Sequence, residues 1–307
     1  MLGARKIFDM TISKLPIVAF VMAFALPFVA LTQNAPPVPG DSIQTMEVNG
    51  VKRIYRLHIP QGYDGATPMP LVFVLHGRGG NGMSAEQGTG FGAKADREHF
   101  VAVFPNALGQ PQTWDSGLNP SLTGTADDVG FIRELMDKLE STLNIDKRRI
   151  YSCGLSSGAI MSGRLGAELS DRFAAVGIAA GTVGAKQPDA SEREIPHPAN
   201  PIPVIAFHGK KDGTVFFNGG GPLANCFPVS RSRAFWIKAN GCSGEPRRST
   251  QQGGNLTIED YNQCSSGSEV VYYIFANGGH IWPTLQNNDH FSATDAMWEF
   301  FAKHPKS

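Results

Sequence analysis

A scarcity of cysteine and the lack of a basic excess exclude several protein classes. Its 307 residues contain only four cysteines. None of them forms a Cys-x-x-Cys pair, which argues against a zinc site. The 27 basic residues are matched by 27 acidic ones, so the basic excess typical of nucleic-acid binding is missing. With 41% apolar and 18% charged residues and no internal repeat, the composition is that of a globular protein rather than a disordered chain, coiled coil or collagen.

The longest apolar run is also short. It covers 15 residues, Ile17–Leu31, whereas a membrane-spanning helix needs about 20. Basic residues precede it, and this combination is typical of a secretory signal peptide. We therefore expect residues 1–35 to be a signal peptide, cleaved after Thr32 or after Ala35, and the protein to be secreted or periplasmic, with no membrane span after cleavage. An uncleaved N-terminal anchor is the alternative.

The rest of the chain has the pattern of a single α/β domain. A proline-rich stretch, residues 36–44, predicts a linker, and residues 45–307 then form the catalytic domain. Thr45–Ile59 alternates around Asn49-Gly50, which predicts a β-hairpin. Continuous apolar runs follow, as in strands buried on both faces of a parallel sheet. The predicted strands are Leu71–Leu75, Phe100–Phe104, Ile150–Cys153, Val176–Ala180, Pro203–Phe207 and Val270–Phe275.

Helical patterns fall between these strands, which predicts a mostly parallel, doubly wound sheet after the N-terminal hairpin. Asp127 or Thr125 would cap one helix and Ser292 the last one. Two stretches, Gly181–Pro203 and Gly219–Pro228, look irregular, but neither is long enough for a second domain. No insertion is long enough for a large cap domain, so we expect an open cleft.

A Gly-x-Ser-x-Gly motif lies at one strand-to-helix junction. Gly154, Ser156 and Gly158 follow a predicted strand and open a predicted helix, the context that a nucleophile elbow requires. Side chains at the two glycine positions would collide in so tight a turn. We therefore predict Ser156 as a nucleophile, with an ordinary strand–helix turn as the alternative. Ser157 has no glycines at the required spacing.

A serine nucleophile needs a base and an orienting acid, which in this fold follow it in the order acid, then histidine. Asp212 comes just past a strand end, where catalytic groups gather. Its competitors are Asp189, in an irregular loop, and Asp260, before the last strand. His280 lies on a glycine-rich loop between the last strand and the last helix, and His290 is its rival.

Backbone amides are expected to form an oxyanion hole. One is the amide of Ser157, which follows the nucleophile directly. The other belongs to the loop His76-Gly77-Arg78-Gly79-Gly80, where we assign Arg78, with Gly77 as the neighbouring alternative. A phosphate cradle is disfavoured, because this loop lacks both the G-x-G-x-x-G register and a P-loop lysine. Four signals in the expected order predict a Ser–His–Asp hydrolase that needs no metal or cofactor.

These motifs resemble a family of secreted esterases. The matching stretches read LVFVLHGRGG, DDVGFI, IDKRRIYSCGLSSG, HGKKDGTV and GGHIWP, within residues 45–303. They are similar to polyhydroxybutyrate depolymerases and to the feruloyl and acetylxylan esterases of carbohydrate esterase family one. The resemblance implies a capless α/β-hydrolase fold and the triad above. It also implies a Cys242–Cys264 disulfide, a pairing that sequence reasoning alone does not fix.

The resemblance implies a polymeric ester as substrate, either a feruloyl or acetyl ester of plant polysaccharide or a polyhydroxyalkanoate polyester. Trp114, Phe216 and Trp282 lie on loops at the catalytic edge and could bind substrate, or they could only pack the loops together. The alternatives are a serine peptidase of the same fold and a catalytically inactive carbohydrate-binding relative. We expect a monomer.

Overall fold

A ten-stranded sheet lies at the centre of the structure, a computed structural model that describes residues 37–118 and 126–306. In these residues the strands are β1 (Gly40–Val48), β2 (Val51–Ile59), β3 (Met69–Leu75), β4 (Val101–Pro105), β5 (Ile145–Leu155), β6 (Ala175–Ala179), β7 (Gly184–Lys186), β8 (Glu192–Glu194), β9 (Val204–Gly209), β10 (Asn225–Cys226), β11 (Arg247–Gln251), β12 (Leu256–Tyr261) and β13 (Val270–Phe275). The helices are α1 (Gly82–Thr89), α2 (Phe91–Glu98), α3 (Asp128–Thr142), α4 (Ser157–Glu168), α5 (Val229–Ala239) and α6 (Ala293–Lys303).

The strands follow the order β1-β2-β4-β3-β5-β6-β9-β13-β12-β11. From β4 to β13 all neighbours are parallel, and an antiparallel hairpin closes each end of the sheet. The carboxyl ends of the parallel strands therefore meet at one edge, where α/β folds bind their ligands. This arrangement confirms the predicted α/β-hydrolase architecture and all six predicted parallel strands.

Helices cover both faces of the sheet. Neighbouring residues of β3 show the division, because Val72 and Phe73 are both fully buried but belong to different hydrophobic clusters. Helices α3, α4 and α5 contribute to the cluster around Phe73, and α1, α2 and α6 to the one around Val72. Strands that are buried on both faces explain the continuous apolar runs in the sequence.

The N-terminal hairpin forms around Asn49-Gly50 as predicted, with Val48 paired to Val51. Its first strand begins at Gly40, however, so the linker expected over residues 36–44 is shorter than the sequence suggests. The segment is mostly exposed at the sheet edge and is ordered by pairing with β2, a long-range cause that its own composition does not reveal. The signal peptide expected at residues 1–35 lies outside the described residues.

The two stretches expected to be irregular contain short strands. Strands β10, β7 and β8 pair in that order into a small antiparallel sheet. Strands of two or three residues are too short to produce a readable hydrophobic period, which explains why the pattern did not predict them. Within residues 37–118 and 126–306, none of the helices combines the length and the hydropathy that crossing a membrane would take.

Candidate active site

Ser156 lies on the sharp turn between β5 and α4. Its backbone has φ 57° and ψ −120°, and its amide donates to the carbonyl of Ala179 at 2.9 Å. A non-glycine residue in this region carries roughly 1–3 kcal/mol of backbone strain, which persists only where surrounding structure enforces it. The turn thus has the geometry of the predicted nucleophile elbow.

The two glycines of the motif are required by close backbone approach. A Cβ on Gly154 would lie 2.5 Å from the carbonyl carbon of Gly158 and 2.7 Å from the carbonyl oxygen of Leu75. A Cβ on Gly158 would lie 2.6 Å from the carbonyl oxygen of His76. The elbow is therefore packed against the end of β3 and the loop that follows it. Any side chain at either position would push the two segments apart.

Asp212 and His280 meet at the same edge of the sheet. Nδ1 of His280 lies 2.8 Å from Oδ2 of Asp212. The other carboxylate oxygen accepts from the amides of Thr214 and Val215 at 2.8 and 2.9 Å. The amide of Lys211 donates to the carbonyl of Gly278 at 2.9 Å, which ties the two loops together. A neutral ring that donates from Nδ1 to this fixed carboxylate presents Nε2 as an acceptor.

The surroundings of Asp212 favour its ionised form. Burial by itself would raise the pKa of this carboxyl group, but the hydrogen bond from His280 and the amides of Thr214 and Val215 outweigh burial and lower the pKa. Nε2 of the neighbouring His208 donates to the carbonyl of Val215 at 2.8 Å, and burial lowers the pKa of that ring. His208 is therefore a neutral structural residue that supports the same loop.

The predicted oxyanion loop lies directly against the elbow. A Cβ on Gly77 would be 3.5 Å from Cβ of Ser156. The His76 ring is buried and holds the loop, since Nδ1 donates to the carbonyl of Gly77 at 2.7 Å and Nε2 accepts from the amide of Ala107 at 3.0 Å. In the described part of the chain, the amides of Arg78 and Ser157 have no acceptor. They are thus available to a ligand.

A buried ion pair anchors the neighbouring wall of the site. NH2 of Arg53 lies 2.5 Å from Oδ1 of Asp128, and Oδ2 of Asp128 accepts from the amide of Asp115 at 2.7 Å. The adjacent Asp127 caps α3 by accepting from the amide of Gly130. Asp127 therefore caps the helix as the sequence predicted, and Asp128 holds the loop at Asp115.

The predicted aromatic residues differ in their positions. Trp114 is buried but lines the cleft beside Ser156, and its indole nitrogen donates to the carbonyl of His76 at 2.9 Å. Phe216 is 42% exposed and is not among the described residues that line this cleft. The structure does not bring Trp282 to the cleft, because its ring packs against Phe91 and its indole nitrogen donates to Thr294. Its polar group is satisfied within the core.

The alternative candidates for the catalytic acid and base make contacts elsewhere in the molecule. Asp189 is exposed and accepts from Ser191, and Asp260 lies beside Glu269 near the start of β13. His290 is exposed, with Nδ1 3.3 Å from the carbonyl of Leu285. The structure joins Asp212 to His280 but records no hydrogen bond between His280 and Ser156. Such bonds are often long before substrate binds.

The described residues include one disulfide, two free cysteines and one cluster of possible metal ligands. Cys242 and Cys264 form a disulfide, the pair that the resemblance implied, while Cys153 and Cys226 are buried free thiols. One cluster has ligand atoms close enough to hold a metal ion, namely Asp41, His58 and Glu86. Arg56 contacts both carboxylates of this cluster, so they already have a cationic partner.

Comparison with known proteins identifies the family. A family model described as Esterase PHB depolymerase matches residues 53–192. Feruloyl esterase C of Emericella nidulans is 31% identical over 278 residues, which cover 86% of this chain and 90% of the relative. The chain belongs to this esterase family. It is a carboxylic ester hydrolase. The esterase also matches feruloyl esterase B of Piromyces equi, at 31% identity over 229 residues, but spans only 41% of that longer relative.

Solved structures show the same fold. An acetyl xylan esterase from Aspergillus awamori has a TM-score of 0.63 at 15% sequence identity, with 85% of the esterase and 99% of that chain covered. The ferulic acid esterase of Anaeromyces mucronatus, in the absence of substrate, has a TM-score of 0.57 at 19% identity, with 89% and 92% covered. The predicted α/β-hydrolase fold is thereby confirmed.

Proposed function

We propose that this protein is a secreted serine esterase that hydrolyses polymer-linked esters through Ser156, His280 and Asp212. The observation that carries the proposal is the fixed His280–Asp212 pair, located at the same sheet edge as a strained serine elbow. The loops also meet at the cleft, because Thr214 and Val215, whose amides hold Asp212, line it together with Ser156.

The reaction would proceed in two halves. Oγ of Ser156 attacks the acyl carbon, while Nε2 of His280 accepts the hydroxyl proton. The carbonyl oxygen becomes an anion, which the amides of Arg78 and Ser157 stabilise. When the intermediate collapses, the ester C–O bond breaks and His280 returns the proton to the leaving alkoxide. Water, deprotonated by His280, then attacks the acyl-enzyme, and the acid is released with Ser156 restored.

The substrate class follows from the relatives. The curated relatives named above are feruloyl esterases, and the matching family model carries the name of polyhydroxybutyrate depolymerases. Feruloyl or acetyl esters of plant polysaccharide and polyhydroxyalkanoate polyester are therefore the two candidate substrates. A secreted enzyme would meet either polymer outside the cell, in keeping with the signal peptide expected at residues 1–35.

A paired assay separates the candidates. Purified protein is given methyl ferulate and feruloylated arabinoxylan on one side and a polyhydroxybutyrate suspension on the other, with Ser156→Ala as the blank. Ferulate release that the blank lacks supports a polysaccharide esterase, whereas clearing of the suspension supports a depolymerase. Equal activity of Ser156→Ala and the unmodified protein on every ester would refute the proposed triad. Secretion is tested by N-terminal sequencing of exported protein, with Gln33 or Pro36 expected first.

A further inference from the structure

The cleft beside Ser156 continues into a second cavity. Four residues line both spaces: Leu118, Ala185, Leu223 and Ala224. The second cavity has a volume of about 350 Å³ and lies along β7 and β10, the strands of the small sheet. The two spaces together form one passage, which we divide into an inner cavity at Ser156 and an outer cavity beyond Leu223.

The lining of the inner cavity indicates which half of an ester it receives. Both residues assigned to the oxyanion hole, Arg78 and Ser157, line it together with Ser156, while His280 does not, within the described part of the chain. The leaving alcohol has to lie beside His280, which returns its proton. The inner cavity therefore lies on the acyl side of the reacting carbon. This assignment of the inner cavity rests on the proposed function, which gives His280 the role of the base.

The two cavities differ in chemistry. Trp114, Ile160 and Val215 make much of the inner wall apolar, and burial raises the pKa of the Cys226 thiol to about 11, so this group is neutral as well. Besides the four shared residues, the outer cavity has Pro188 and three polar side chains in its lining, those of Lys186, Gln187 and Asn225.

The polar groups of the outer cavity differ in what they already contact. The side-chain nitrogen Nε2 of Gln187 is already used, because it donates to the carbonyl of Leu118 at 2.8 Å. Nδ2 and Oδ1 of the exposed Asn225, by contrast, have no hydrogen bond within the described residues. Nζ of Lys186 is 3.9 Å from Glu192, whose second oxygen is 2.8 Å from Arg231. Among the described residues, the Lys186 ammonium group thus has one ion pair, at the long distance of 3.9 Å, and it can donate to a ligand.

We propose that the outer cavity is an acyl-side subsite, and that Lys186 and Asn225 determine specificity there. Its ligand is the far end of an acyl group that has an apolar stem and a terminal hydroxyl or ether oxygen. Lys186 donates to that oxygen, and Asn225 can donate or accept. A phenolic acyl group has this form. An acetyl group would end in the inner cavity, and a polyester chain would place carbonyl and ester oxygens against the apolar inner wall.

Two methyl esters that differ by one hydroxyl test the proposal. Methyl p-coumarate and methyl cinnamate share the same stem, and only the former has a terminal hydroxyl. We expect kcat/KM to favour p-coumarate by about three- to tenfold, as one hydrogen bond of ordinary strength would give. Lys186→Met and Asn225→Ala should each bring this ratio towards one. Lys147→Met is the matched control, since it removes an exposed lysine on β5 that pairs with Glu140, and it should keep the ratio.

An unchanged ratio in both variants, or a ratio of one in the unmodified protein, would overturn the proposal. Competitive inhibition of p-nitrophenyl acetate hydrolysis by free p-coumarate and cinnamate gives the same comparison without any variant, and equal inhibition would also overturn it. Hydrolysis of p-nitrophenyl acetate that requires Ser156, together with no preference between the two methyl esters, would refute the subsite and leave the proposed triad standing. Hydrolysis that a folded Ser156→Ala protein retains in full would instead refute the triad.

Discussion

Replacing Asp212 by asparagine tests whether the orientation of His280 sustains activity. Asparagine keeps an oxygen that can accept from the amides of Thr214 and Val215, so the loop retains its anchors. Its amide nitrogen, however, faces Nδ1 of His280 as a donor. The ring must then accept at Nδ1 and carry its proton on Nε2. A ring in that tautomer cannot remove the proton of Ser156.

The expected loss in kcat is about 10⁴-fold, as in serine triads where the same exchange leaves the geometry intact. At 1.36 kcal/mol per tenfold, this corresponds to roughly 5 kcal/mol of transition-state stabilisation. The assay is hydrolysis of p-nitrophenyl acetate, with circular dichroism to verify folding. Asp189→Asn is the matched control: Asp189 is exposed and, within the described residues, hydrogen-bonds to Ser191, so full activity is expected. A folded Asp212→Asn protein with activity within about tenfold of the unmodified enzyme would show that Asp212 does not orient a catalytic base, since a positioned base contributes roughly 10²–10⁴-fold.

The same variant has a pH signature in stability. The pKa of Asp212 is below its ordinary value of 3.8 in the folded protein. Such a group stabilises the fold at pH above 3.8, and its contribution is lost as the pH falls through the folded-state pKa. The difference in unfolding free energy between the unmodified protein and Asp212→Asn should therefore be constant near neutral pH and shrink below pH 3.8. A difference that grows on acidification would contradict this sign.

Two further predictions concern stability. Asp128→Ala leaves the guanidinium of Arg53, whose side chain is 3% exposed, without its partner, so urea denaturation should show a loss of about 3–5 kcal/mol. A loss below about 1 kcal/mol would mean that the pair is not needed. Replacing both Cys242 and Cys264 by alanine should lower the free energy of unfolding by roughly 3 kcal/mol, since the disulfide closes a loop of 22 residues. Esterase activity should be retained, because the bridge joins the end of α5 to the residues after β12. These lie at the sheet edge opposite the cleft. Loss of activity in a folded double variant would contradict that placement.

The sequence predicted the parts of the site that depend on local constraints. Gly154 and Gly158 are needed because backbone segments pass within contact distance, and such a requirement is visible as a motif. That Asp212 and His280 would lie close together was predictable because each follows a strand that is buried on both faces. Parallel strands bring their carboxyl ends together whatever their separation in sequence.

Features that depend on distant partners were not predictable. The Arg53–Asp128 pair joins residues 75 positions apart, and neither residue has a local pattern that indicates the other. Trp282 lies near His280 in sequence, which left open whether it binds substrate or packs the loops. Its contacts with Phe91 and Thr294 place it in the core. Helices α1 and α2 are separated by Gly90 in a left-handed conformation, and several polar residues obscure their periodicity. The outer cavity is built by strands of two or three residues, which are too short to recognise.

Covalent labelling identifies the nucleophile, which we propose is Ser156. The protein is treated with a fluorophosphonate, and the modified peptide is identified by mass spectrometry. We expect a single adduct on Ser156, which disappears in Ser156→Ala together with esterase activity and persists in Ser157→Ala. An adduct on Ser157, or full esterase activity in a folded Ser156→Ala protein, would contradict it.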